Sequence, residues 1–126
     1  MSQYTPLGRV RGLGSAKNGT GHWWAQRLTA VALVPLGLWF VVSLISLVGA
    51  DYAAAAGWVA SPLVAVLLIL TIIATFHHAQ LGLSVIIEDY VHGEGSKLVA
   101  IVLVRFAAVL LGVGGVFAVL KIAFGA

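Results

Sequence analysis

From Leu28 to Ala50, and again from Tyr52 to Ile87, the chain carries no Asp, Glu, Lys or Arg. Uncharged stretches of this length suit the hydrocarbon of a bilayer, whose core of about 30 Å takes about 20 helical residues to cross. Leu28–Val48 reads as the first span. Leu63–Ile87 reads as the second, with Pro62 before it in the first helical turn, where a missing N–H costs nothing. Leu98–Phe124 reads as the third, with Arg105 near its start and Lys121 near its end, both long enough to reach a polar interface. Charged residues make up 9% of the 126, against about 25% in a soluble domain, too few to coat a globule with solvated groups. Soluble globular folds are excluded. The fold class is an all-α membrane protein: an N-terminal arm over 1–21, then a membrane domain over 22–126 with helices at about 24–48, 62–88 and 98–124.

Basic residues set the orientation. Arg9, Arg11, Lys17 and Arg27 precede the first span and the connection from Gly49 to Ser61 has none, so the N-terminus is expected in the cytoplasm and the C-terminus in the periplasm. Trp23 and Trp24 are expected in the headgroup layer at the mouth of the first span, and Trp58 in the opposite layer. The arm is basic but weakly amphipathic, which suits a cytoplasmic arm better than a transit peptide. A net charge of +3 is ordinary for a membrane protein with a basic cytoplasmic rim and gives no reason to expect nucleic acid. The absence of Cys removes disulfides, thiolate metal sites, iron–sulfur ligation and thiol catalysis together.

The informative residues are the polar ones at membrane depth. His77 and His78 stand about ten residues before Glu88, about 15 Å inside the apolar region on a helical rise. An imidazole there needs a helix, a water or a cofactor to face. His78, Gly82, Val85 and Asp89 share one stripe; His77, Leu81, Ser84 and Glu88 share another about 100° away. A glycine one turn from His78 lets a flat macrocycle approach the backbone, which makes His78 the candidate axial ligand of a haem iron. The same residues are also what close helix packing over Gly82, with a cross-bundle hydrogen bond from His78, would use. His77 is expected to bond a neighbouring helix or a water. Glu88, Asp89 and Tyr90 end the second span with two acids against the helix macrodipole; a phenol with a neighbouring carboxylate can hydrogen-bond and protonate a quinone. Arg27 is an interfacial anchor that can also clamp a propionate. Arg105 is expected to pair with Glu94 or Glu88. Gly112, Gly114 and Gly115 read as a helix-packing surface.

His22-Trp23-Trp24-Ala25-Gln26-Arg27-Leu28-Thr29-Ala30, followed by His78-Ala79-Gln80-Leu81-Gly82 and Glu88-Asp89-Tyr90-Val91, resembles the smaller hydrophobic membrane-anchor subunits of succinate dehydrogenase, respiratory complex II. The resemblance covers all three spans, and its specific part is His-x-x-x-Gly with Asp-Tyr ending twelve residues after that histidine. It implies half of a heterodimeric haem-binding helical bundle, in which haem b lies between this chain and a second anchor, the cytochrome b subunit. It implies His78 as the metal ligand, Arg27 and His22 near the haem propionates, and Tyr90 with Asp89 at the ubiquinone site. It also implies a flavoprotein subunit that holds FAD and oxidises succinate, and an iron–sulfur subunit that carries the electrons, so that this chain links the tricarboxylic acid cycle to electron transport without a succinate-oxidising site of its own. The setting implied is a bacterial inner membrane. A small transporter or proton relay built from His77, His78, Glu88 and Asp89 is the main rival; a dihaem cytochrome would want histidines in the other spans, and an anchor that has lost its haem would keep the same residues.

Overall fold

The computed structural model describes residues 6–7 and 17–125. Arg9 and Arg11, and the side chain of Lys17, lie outside the described residues, so three of the four cations used for orientation are not placed. Three long helices, α1 (Lys17–Ser46), α3 (Pro62–Tyr90) and α4 (Glu94–Ala123), and a short one, α2 (Tyr52–Ala60), account for most of the described chain, and among the described residues there is no strand. Thr20–Ser46, Pro62–Tyr90 and Glu94–Ala123 are each long and apolar enough to cross a membrane.

The helix ends follow from local chemistry. Gly49 (φ 83°) and Gly93 (φ 91°) turn the chain after α1 and before α4 in the left-handed region that favours glycine. Pro62 stands in the first turn of α3 as its sequence position suggests. The segment read as a plain connection contains α2. Asp51 caps it, its Oδ1 accepting from the Ala54 N–H at 2.9 Å, and an alanine run propagates it. Pro35 lies inside α1 without ending it, as membrane helices allow.

α3 is the middle of a row. It packs against α1 on one side and α4 on the other, and among the described residues the backbones of α1 and α4 do not come within 8 Å of each other. Gly112 and Gly115 of α4 face Phe76 and Ile72 of α3: a Cβ on Gly112 would meet Phe76 at 3.8 Å, and one on Gly115 would meet Ile72 at 3.3 Å. Gly114 faces open space, so two of the three glycines form the packing surface expected of all three.

Ala65, Leu68 and Val119 make a small core at the end of the row away from Tyr90, covered by Trp39, Phe40, Trp58 and Val59 among others. Trp58 stacks on Trp39 with centroids 5.8 Å apart and planes at 25°, because α2 folds its ring back over the core. No large side chain is fully buried among the described residues. A row of three helices has two faces and almost no inside, which suits a chain covered by lipid and by other subunits.

Candidate functional site

The polar groups in the spans first satisfy themselves within their own helices. Thr71 donates to the Leu67 carbonyl at 2.7 Å and Ser84 to the Gln80 carbonyl at 2.8 Å, the back-bonding expected of hydroxyls in a helix. Thr29 donates to the Ala25 carbonyl at 2.7 Å, with the Gln26 carbonyl at 3.1 Å. Its oxygen also lies 3.0 Å from His78 Nδ1. This is the one side chain–side chain hydrogen bond among the described residues, and it joins α1 to α3 across 49 positions of sequence.

That contact bears on the tautomer of His78. Thr29 has a single hydroxyl hydrogen, and the two backbone carbonyls can only accept it. When that hydrogen goes to the carbonyls, the Thr29 oxygen is left to accept from a His78 ring protonated at Nδ1. A neutral imidazole protonated at Nδ1 carries its lone pair on Nε2, the state a metal-ligating histidine must be in. His78 therefore makes the cross-bundle bond that close packing predicts and keeps the nitrogen that an iron would use. The donor set fits haem.

Gly82 lies one turn away, and the nearest atom that a Cβ there would meet is Nε2 of Gln26, at 3.6 Å. The amide of Gln26 thus lies in contact distance of the space beside the glycine. Its Oε1 is buried with no hydrogen-bond partner among the described residues, a deficit of about 1–3 kcal/mol that a further donor would recover. Thr29 and Gln26 belong to the site, and the sequence reading missed both. Their signal was present: they are neutral polar residues immediately flanking Arg27 and Leu28 at the start of an apolar span.

Pairing Thr29 with His78, and Gly112 with Phe76, fixes the register of the row. Counted at 1.5 Å per residue, Arg27 lies about 3 Å, Trp24 and Arg105 about 8 Å and Trp23 about 9 Å from the level of His78, all towards the Tyr90 end. Tyr90 itself is about 18 Å away. The two tryptophans meet edge to face with centroids 4.9 Å apart, and the Arg27 guanidinium sits 5.3 Å from the Trp23 ring centroid, within cation–π range. Asp89 and Tyr90 extend beyond this belt, exposed at the end of α3.

The ion pair expected for Arg105 is not formed among the described residues. Glu94 is eleven residues back on the same helix, about 16 Å along the axis, Glu88 lies in the last turn of α3, and all three side chains are exposed. His22 is half-buried on α1, five residues, or about 8 Å along the axis, before Arg27.

His77 is exposed and makes no hydrogen bond to a neighbouring helix among the described residues, which leaves water as the partner named for it in the sequence reading. It lines two open apolar grooves, one of about 380 Å³ against α4 with Phe76, Gln80 and Gly112, the other of about 280 Å³ against α1 with Thr29, Ala32 and Leu70. A side chain bordering both grooves must project from the face of the row onto which both open. His78 borders neither, being turned about 100° further round the helix towards α1. The two histidines point in different directions, and the continuous ionisable chain that a relay needs is not assembled. No group of three or more metal-ligating side chains occurs among the described residues, so a metal held here takes ligands from elsewhere as well.

Comparison with known proteins agrees with this arrangement. The profile of the succinate dehydrogenase/fumarate reductase transmembrane subunits matches residues 1–112. The chain belongs to this family. A succinate dehydrogenase hydrophobic membrane anchor subunit of Paracoccus denitrificans is 30% identical over 126 residues, covering 100% of this chain and 97% of the relative. One from Rickettsia bellii is 31% identical over 111 residues, 88% of this chain and 89% of the relative. A succinate dehydrogenase membrane anchor subunit of Reclinomonas americana is 33% identical over 104 residues, 74% of this chain and 80% of the relative. No solved structure matches the chain. Three apolar helices and these membrane-anchor relatives make this member of the succinate dehydrogenase/fumarate reductase transmembrane subunits a multi-pass membrane protein.

Proposed function

We propose that this chain is the smaller membrane anchor of a bacterial succinate:ubiquinone oxidoreductase, lending His78 to a b-type haem and Tyr90 with Asp89 to the ubiquinone site. The observation that supports the haem reading is the Thr29–His78 contact, in which a ring donating from Nδ1 would keep the Nε2 lone pair for a metal. A bound haem supplies a one-electron relay beside the quinone. Since His78 is one ligand, the second comes from a partner anchor subunit laid against the row. Arg27, about 3 Å from the level of His78 along the axis, is the cation that would hold a propionate, and His22 is a second donor on the same helix.

Tyr90 is suited to donate its phenol hydrogen to a quinone carbonyl, and Asp89 to orient the phenol and take or return a proton as the quinone gains two electrons. Both are exposed where the spans end, which is where an iron–sulfur subunit docked on the cytoplasmic side would hand over electrons. That subunit and a flavoprotein with FAD would carry the succinate chemistry, for which this chain has neither a flavin motif nor Cys. The N-terminus is then cytoplasmic and the C-terminus periplasmic.

The test is a dithionite-reduced minus oxidised spectrum of the complex purified through a tag on this chain. The expected result is a b-type spectrum with a flavoprotein and an iron–sulfur protein co-purifying. His78→Ala is expected to lose the haem signal, and Tyr90→Phe to keep it while quinone reduction falls. A haem signal unchanged in His78→Ala overturns the ligand assignment.

A further inference from the structure

We infer that Thr29 is a positioning residue for the iron ligand: its hydroxyl, tied to the backbone of α1, holds His78 as the Nδ1–H tautomer and sets the electron-donating strength of Nε2. The inference rests on the haem reading above and goes beyond it, because it assigns a function to a neutral side chain on the other helix.

Three distances carry it. The Thr29 oxygen is 2.7 Å from the Ala25 carbonyl, 3.1 Å from the Gln26 carbonyl and 3.0 Å from His78 Nδ1. The first two take up the hydroxyl hydrogen and fix the torsion of a side chain that is already stiff by β-branching. What remains towards α3 is an oxygen lone pair held in place by its own helix. An acceptor so fixed selects one imidazole tautomer and restrains rotation of the ring.

It also acts through the ring. A hydrogen bond donated from Nδ1 to a good acceptor raises the basicity of the other nitrogen, as outer-shell partners of ligating histidines generally do. A more basic axial nitrogen favours the ferric over the ferrous state. Thr29 therefore pulls the haem potential down. The side chain is half-buried at the seam between two helices, where water cannot readily substitute for it.

The experiment compares wild type, Thr29→Val, Thr29→Ser and His78→Ala in the intact, membrane-extracted complex, read by redox titration of the reduced-haem absorbance, haem retention and the EPR g-values of the ferric haem. Thr29→Val keeps the volume and removes the acceptor. It is expected to shift the midpoint to a more positive value, move the g-values and weaken haem retention about 10- to 100-fold. Thr29→Ser restores the acceptor and is expected to return the potential close to that of wild type, which a loss of packing alone would not do. Wild-type potential and g-values in Thr29→Val overturn the inference while leaving His78 as the ligand, provided that His78→Ala has lost its haem. A shift shared equally by Thr29→Ser and Thr29→Val overturns it too. A wild-type complex without haem, or a His78→Ala complex that keeps it, overturns the haem reading and the inference together.

Discussion

The three glycines of α4 give a test of the helix packing in which the chain supplies its own control. A Cβ at Gly115 would stand 3.3 Å from Cγ2 and 3.4 Å from Cδ1 of Ile72, inside the 3.5–4.0 Å optimum for carbon contacts. Gly115→Ala asks for a shift of a few tenths of an ångström. Gly115→Leu adds three more carbons to the same gap and is an overpacking substitution, costing about 1–3 kcal/mol, or about 5- to 150-fold in the unfolding equilibrium. Gly112→Leu starts from 3.8 Å to Phe76 and falls lower in that range. A Cβ at Gly114 would meet nothing within 4 Å, so Gly114→Leu belongs with surface substitutions, within about 0.5 kcal/mol of neutral. Any gain in helix propensity is common to the three and drops out of the comparison. The assay is unfolding of the purified complex in dodecylmaltoside titrated with SDS, followed by far-UV circular dichroism. The expected order of loss is Gly115→Leu, Gly112→Leu, Gly114→Leu. If Gly114→Leu costs as much as Gly115→Leu, the register of α4 on α3 is wrong, and with it the depth assigned to Arg105.

Gln26→Met removes a buried acceptor that lacks a partner in the chain and keeps most of the volume. In the chain purified alone in detergent it is expected to be neutral or stabilising by up to about 1–3 kcal/mol, and a clear loss of stability there would mean that Oε1 already has its donor. Asp51→Ala takes away the carboxylate that accepts from Ala54 N–H and is expected to cost about 1 kcal/mol, read as faster hydrogen exchange confined to α2. The stack of Trp39 on Trp58 is expected to give a coupling of about 0.5–1.5 kcal/mol in a double-mutant cycle with alanine, and additivity within error counts against it.

The three spans were legible because charge is so expensive in hydrocarbon that Arg27, Asp51 and Glu88 delimit the first two almost by themselves, and Pro62 marks a start for its own steric reason. His78 stood out as a candidate for the same cause, being polar inside an apolar span, whereas His22, Arg27, Asp89 and Tyr90 were singled out at the span ends and by the family resemblance. What depends on how one helix slides along another was not. Thr29 and His78 are 49 residues apart, and nothing in either stretch states that they share a level. The short α2 was missed because its alanines are as apolar as a buried connection, and the capping carboxylate of Asp51 was read as the edge of a span.

The absence of contact between α1 and α4 has a consequence for the order in which the molecule comes together. α3 and α4 are joined by the three residues Val91, His92 and Gly93 and can close as a hairpin without help from α1, which adds to the opposite flank as a separate event. Until it does, Nδ1 of His78 has no Thr29 hydroxyl to meet, so the surroundings of this ring are completed only when α1 has docked on α3.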